Sequence, residues 1–393
     1  MNSTFILAFK KNLVYILIIL SGLLFRLVNI NQPILEYFPE RQTQTAEITR
    51  NIYANGWPDF WTPKIRYVGN TPTPLVLEFP LYNGLVSVLY TVFGPNVIFG
   101  RIVSLFSFII ASIVFVLLLK KTVKPQYIFP SLLFFIFSPV HVLTSRSFQP
   151  DEMALALLLV SFYNSSLFVL MFAGLVKAPY YLIGSVLLFK NNVLSFKRLL
   201  IYFLFFLPVL LWAIRASELM SQNIYAGNYS LSNWFDLSLF INPGWYLSLF
   251  QIEQINVFTT LGILFFMIGL FKGWKLEKMY FWKLLLMAAI LYGMIFNRHI
   301  VSHDYYSLIF IPPISVFIGI GLSYVFAIFN SERKLISRCA KVLVVSLFFL
   351  GLLVPSIEKI NRPITINSYP SLMQRYKELI DVEKRSLNEV FVK

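Results

Sequence analysis

The sequence predicts an all-α, polytopic integral membrane protein, and three observations carry that reading. Runs of roughly 20 apolar residues recur along the 393 positions, the length a helix needs to cross a bilayer's hydrocarbon core. The composition is 58% hydrophobic and 13% charged, with 40 Phe and 21 Tyr suited to lipid-facing and interfacial positions. About half of the 33 basic residues sit in short patches between apolar runs: Lys10-Lys11; Lys120, Lys121 and Lys124; Lys190, Lys197 and Arg198; Lys272, Lys275, Lys278 and Lys283; Arg333, Lys334, Arg338 and Lys341. This is the positive-inside distribution, so these loops are expected to face the cytoplasm. The net charge of +15 therefore reports membrane orientation, and no nucleic-acid partner is expected.

The first apolar run, Leu13 to about Ile30, exceeds a secretory h-region and lacks an A-x-A site, so it is expected to remain as a span. An acid-rich loop follows from Asn31 to about Asn96, carrying Glu36, Glu40, Glu47, Asp59 and Glu78. Loops of that length are uncommon unless functional. Within it, 40–53 has a helix-like polar pattern, and 80–93 is apolar. Spans at 80–93 and 97–120 together would put Glu78 on the cytoplasmic side, so 80–93 is expected to lie in the outer interface.

Further runs cover 97–120 and 126–143 and end at SRSFQPDE (145–152). The segment from Asp151 to Lys190 must cross an odd number of times. As helix it reaches about 57 Å, short of three full crossings of a core about 30 Å thick. One span with broken or re-entrant pieces and three short tilted helices both remain open. Spans near 199–214, 255–271, 284–297, 306–328 and 340–355 complete about nine to eleven crossings. A second outer loop occupies 216–253. The expected division is a membrane domain over 1–355 and an external amphipathic tail over 356–393, with Leu372, Tyr376, Leu379 and Ile380 on one helical face. A lone Cys339 excludes an intrachain disulfide.

Asp151-Glu152 is the sharpest candidate site, because an acidic doublet at a span end is costly unless it meets water, a cation or a substrate. Carboxylates there can take a proton from a hydroxyl or hold a divalent cation such as Mg or Mn. Glu40, Arg41 and Glu47 form a second group, in which positions 40 and 47 share one face if the segment is helical. Several cations, Arg41, Arg146, Lys177, Arg215 and Arg298, fall on the side where positive charge is sparse, and a lipid-linked phosphate would pair with them. Lys177 lies inside an apolar run, where an unpaired ammonium is expensive. His299 and His303 have i,i+4 spacing without a clear third metal ligand, which favours a structural or phosphate-contacting role. The sequence has no Walker loop, G-x-G-x-x-G, G-x-S-x-G or H-E-x-x-H.

In this order, AEITRN (46–51), EFPLYNGL (78–85), SRSFQPDE (145–152), LVKAP (175–179) and HDYYSLIFIPP (303–313) resemble the GT-C membrane glycosyltransferases, specifically relatives of protein mannosyltransferases and aminoarabinose lipid A transferase. The resemblance implies a GT-C type fold with outer juxtamembrane helices. It also implies a polyprenyl-phosphate sugar donor, inversion at the anomeric carbon, and a loop carboxylate that activates the acceptor hydroxyl. Asp151 matches the acid of the second outer loop, Glu78 the acid before the interfacial helix, and Lys177 the lysine of the K-x-P element. The family's usual first-loop acid falls at Arg41 or Gln42, neither of them a base, and Glu40 is the nearest substitute.

The expected catalytic residues are Asp151 and Glu40. The expected substrate and phosphate contacts are Arg41, Glu78, Tyr82, Arg146, Lys177, Arg298, His303 and Tyr305, with Asp151 and Glu152 as metal ligands. Expected partners are a polyprenyl-phosphate sugar, membrane lipids and a lipid, glycan or protein acceptor. The expected setting is a prokaryotic cytoplasmic membrane with the site facing outside. The alternatives are a transporter or flippase of lipid-linked glycans, and a non-catalytic GT-C homologue.

Overall fold

The computed structural model describes residues 3–66, 72–189, 195–223, 234–329 and 334–361. The expected tail helix around Leu372, with Lys190 and Arg333, lies outside the described residues. Helix α1 (Ser3–Leu27) leads into the first loop, which holds α2 (Pro39–Asn55), α3 (Trp57–Trp61), strands β1 (Lys64–Arg66) and β2 (Pro72–Pro74), and α4 (Leu81–Phe93). The strands pair antiparallel, with Lys64 opposite Pro74. Three-residue strands are too short to show a period-two pattern, so they leave no signal in the sequence. Helix α4 reaches about 20 Å, too short to cross a membrane.

Helix α5 (Ile98–Thr122) is a full-length span, but the span expected over 126–143 is not continuous. It is divided into α6 (Pro125–Phe137) and α7 (Pro139–Thr144) at Ser138, whose ψ of 130° leaves the helical region. The following proline ring disfavours helical geometry at Ser138. Between Asp151 and Phe189 the structure forms three short helices: α8 (Asp151–Asn164), α9 (Leu167–Val176) and α10 (Ala178–Ile183), the last continuing as a 3-10 turn over Gly184–Phe189. The break between α9 and α10 is Lys177 itself, in extended conformation (φ −152°, ψ 100°).

The chain continues through α11 (Phe196–Met220), α12 (Pro243–Glu253), a π turn at Gln254–Phe258, α13 (Thr260–Trp274), α14 (Tyr280–Ile295), α15 (His299–Ser302), a 3-10 segment Asp304–Phe310, α16 (Ile311–Ile328) and α17 (Lys334–Asn361). Among the described residues, Ile98–Thr122, Phe196–Met220, Glu277–Ile295, Asp304–Ile328 and Arg338–Asn361 are long and apolar enough to cross a membrane. The pair Pro243–Phe258 and Thr260–Trp274, bent by 88°, would make a sixth span. The other expected crossings appear as shorter apolar helices, among them Asn12–Leu27, Pro125–Phe137 and Leu167–Val176.

Helix α16 is central, with 78% of its apolar window buried against 17% for α11 and α17, which turn most of their surface outward. It packs on α13 through Gly269 and Gly321, where an added Cβ would collide with the carbonyl oxygens of Phe317 and Phe265. Close backbone approach at small residues is the usual means of holding helices together in lipid. Helix α5 runs from the end of the first loop to Lys120 and Lys121, and α16 runs from the 3-10 segment whose Asp304 meets Tyr37 of the first loop to Tyr324 beside Lys272, so the two helices define opposite ends of the molecule.

Candidate functional site

Helix α2 is polar in sequence, yet Arg41 through Thr49 are all buried. Such a helix can be buried only if its polar groups find partners. The Thr45 and Thr49 hydroxyls donate to the carbonyls one turn back, and Asn83 of α4 donates to the Thr45 carbonyl at 2.9 Å and to Thr49 Oγ1 at 3.0 Å. Gln42 donates to the Tyr37 carbonyl at 2.6 Å, and its own oxygen accepts from the Phe148 N–H at 2.8 Å. That last contact fastens α2 to the loop that runs into Asp151.

The helix begins sharply. Phe38 is left-handed (φ 48°, ψ 61°), with Pro39 opening the first turn. The conformation costs a bulky residue on the order of 1–3 kcal/mol. It is held by the surroundings: the Phe38 ring stacks on His303 with centroids 5.9 Å apart and meets Tyr305 edge-on at 4.8 Å. The neighbouring Tyr37 hydroxyl donates to Asp304 Oδ1 at 2.7 Å. Asp304 also accepts from Asn256 at 2.8 Å and Lys359 at 3.0 Å, tying the first loop to α17.

These elements enclose a cavity of about 330 Å³ whose lining includes Glu40, Arg41, Glu78, Lys177, His303 and Tyr305. Its two cations are each met by an acid: Arg41 pairs with Glu78, and Lys177 pairs with Asp151. The Phe79 N–H donates to the Leu175 carbonyl at 3.1 Å, which sets Glu78 beside the α9–α10 break. Lys177 Nζ also lies 4.9 Å and 4.7 Å from the ring centroids of Tyr305 and Tyr306. Of the acids lining the cavity, Glu40 is exposed and has no cation partner among the described residues; it accepts from Gln44 at 3.2 Å. Burial, then His299, Arg41 and Lys177, push the His303 imidazole down to about 4, so it is neutral at pH 7. Burial, then Arg298 and Lys177, lower His299 as well. Burial is the main cause of both shifts and neighbouring positive charge adds to it; with Arg41 and Lys177 in its lining, the cavity suits an anion.

A second, apolar groove of about 370 Å³ runs between α10 and α11, lined by Leu175, Leu182, Phe206, Val209, Leu210, Ala213 and Met220. It shares Glu78, Lys177, Trp234 and Tyr306 with the first cavity, so its polar end is Lys177.

Several expected site residues lie elsewhere. Tyr82 is 1% exposed and hydrogen-bonds to the Gly100 carbonyl at 2.7 Å and to Ser104, joining α4 to α5. Arg146 is buried beneath the first loop near Glu36 and Arg101 and donates to the Val28 carbonyl at 2.8 Å. Arg298 does not line the cavity; it faces Asp236 at 3.6 Å in the second loop. Asp151 is fully buried and reaches the cavity through Lys177.

Glu152 turns away from Asp151 to His141, at 3.0 Å. The two acids of the doublet are thus committed to different partners, and the described residues contain no group of three His, Cys, Asp or Glu placed to hold a metal. This donor set does not fit a metal centre.

Phe38, Gln44, Trp234 and Tyr306, none of them expected as site residues, also line the cavity, as does His299, for which the sequence favoured a structural or phosphate-contacting role. His299 and Tyr306 belong to a stretch already notable for its rings. Phe38, Gln44 and Trp234 carried no local signal.

No family model matches the chain, and no curated protein does. Among solved structures it is similar to ArnT, the aminoarabinose lipid A transferase, from Cupriavidus metallidurans. The crystal structure bound to undecaprenyl phosphate matches with a TM-score of 0.54 at 16% identity, over 93% of this chain and 75% of that one. The apo crystal structure of the same protein matches with a TM-score of 0.54 at 15% identity. The likeness spans nearly the whole chain and shows that its fold is that of the ArnT structures.

Proposed function

We propose that this protein is an inverting glycosyltransferase that moves a sugar from a polyprenyl-phosphate donor to an acceptor hydroxyl. The observation that carries the reading is the junction at Lys177, where an apolar groove opens into a cationic cavity. An isoprenoid tail suits the groove, a phosphate suits the Lys177–Arg41 end, and the rings of Phe38, Trp234 and Tyr306 suit a sugar. The similar ArnT structure holds undecaprenyl phosphate, which fits a donor of that class here.

In this scheme the acceptor oxygen attacks the anomeric carbon as the bond from that carbon to the phosphate oxygen breaks. Glu40, exposed in the cavity without a cation partner, takes the hydroxyl proton. The departing polyprenyl phosphate gathers negative charge, and Lys177 and Arg41 stabilise it most in the transition state. Asp151 positions Lys177, and Glu78 positions Arg41. The reaction belongs on the outer face, because the basic patches lie at the opposite helix ends.

Purified protein incubated with a panel of radiolabelled polyprenyl-phosphate sugars tests the reading. Label should move from at least one donor to an added acceptor. Ala213→Trp, which obstructs the groove, should raise donor KM by roughly tenfold, the scale expected for a misfitting apolar pocket. Donor binding that leaves every donor intact would favour the transporter, and no donor binding would remove the reading.

A further inference from the structure

The end of the molecule opposite the candidate site carries an open cavity of about 430 Å³. It lies among the start of α6, the last turns of α16 and the first third of α17, and is lined by Lys124, Gln126, Tyr127, Ser323, Tyr324 and Lys341. A third lysine, Lys272 of α13, has its Nζ 5.6 Å from the Tyr324 ring centroid. Along α16, Tyr324 stands about 20 Å from Ile311 at the candidate-site end, so the two sites are separate.

Among the described residues that line it, none is an acid. Other lysines of this end are engaged: Lys120 donates to Asn12 at 2.8 Å, and Lys121 lies 3.5 Å from the centre of the Tyr163 ring. The Lys124 ammonium makes no hydrogen bond, ion pair or ring contact among the described residues. Lys124 and Lys341 line the cavity and Lys272 approaches it at the half-buried Tyr324 ring, so ammonium groups on three helices supply positive charge suited to an anion. The floor is fixed, because the Ser323 hydroxyl reaches the Gln126 carbonyl at 3.2 Å and binds α16 to α6.

We propose that this cavity binds the phosphodiester headgroup of an anionic phospholipid, with Lys124, Lys272 and Lys341 meeting the phosphate and the acyl chains remaining in the bilayer. Lysine is an effective point-charge partner for phosphate. Basic pockets between helices at the cytoplasmic ends of membrane proteins are suited to such headgroups.

The test is native mass spectrometry of the full chain released from nanodiscs containing phosphatidylcholine and phosphatidylglycerol. Wild type should retain phosphatidylglycerol preferentially. Lys124→Met/Lys272→Met/Lys341→Met should lose that preference, each lysine contributing roughly fivefold. Lys124→Glu alone, at an exposed position, should reduce it even if the triple variant folds poorly. Lys197→Met/Arg198→Met, a different basic patch, should keep it. Equal retention by Lys124→Glu and wild type, or equal loss in the Lys197/Arg198 control, would overturn the proposal. So would protection against thermal unfolding by inorganic phosphate matching that by phosphatidylglycerol, which would make this a free-anion site.

Discussion

Lys177 and Asp151 form a buried ion pair across two helix breaks: the lysine is the extended residue between α9 and α10, and the aspartate is the first residue of α8. Neither residue could be held there by a continuous span. Irregular backbone at membrane depth is tolerated where it is buried in protein or lines a cavity, and here it does both.

Removing one partner of a buried pair strands the other, at a cost of about 3–5 kcal/mol. Lys177→Met is therefore expected to lower thermal stability and transfer together. Asp151→Asn should lose transfer with a smaller drop in stability, because Lys177 also touches the cavity. The double variant Lys177→Met/Asp151→Asn should recover stability without recovering activity. A thermal melt and a turnover assay on the three proteins measure this, and additive losses in both would show that the two residues act independently.

Glu40→Gln should reduce kcat by at least about 10²-fold, the scale of a lost general base, while donor KM changes little. Glu78→Gln should do the reverse, raising donor KM because Arg41 loses its partner. Steady-state kinetics separates the two. If Glu40→Gln turns over normally at saturating donor, the base lies outside the first loop.

His303 gives a pH signature. Its folded value, about 4, lies below the ordinary 6.5, through burial and then its cationic neighbours. The unfolded chain therefore binds more protons, so the contribution to stability is complete above pH 6.5 and is lost as pH falls toward 4. Melting temperature should decline through that window, and His303→Gln should flatten the decline. An unchanged acid limb in His303→Gln would assign the slope to other groups, beginning with His299.

Tyr82→Phe should leave donor KM and kcat within about twofold, although Tyr82 lies in EFPLYNGL. Its hydroxyl joins α4 to α5 rather than facing the cavity, so the loss should be near 1 kcal/mol of stability. A large fall in kcat would return Tyr82 to the site.

The sequence by itself determined the polytopic helical class, because the length and apolarity of a span are local properties. It also identified Arg41, Glu78, Lys177, His303 and Tyr305, which line one cavity, and Glu40 beside them. These residues stand out because charge or clustered rings near hydrocarbon-length segments are rare and expensive.

Only the tertiary structure decided the pairings. Glu152 looked equivalent to Asp151, yet one turn-start residue faces Lys177 and the next faces His141. Arg146 and Lys177 looked alike as sparse cations, yet only Lys177 sits at a helix break beside the cavity. Phe38 and Gln44 gained a role because Gln42 binds the Phe148 backbone and brings α2 down onto the α8 loop. A cavity is assembled from segments far apart in the chain. Its lining depends on which carbonyl, ring or carboxylate packing presents to each side chain, and local sequence carries no record of that choice.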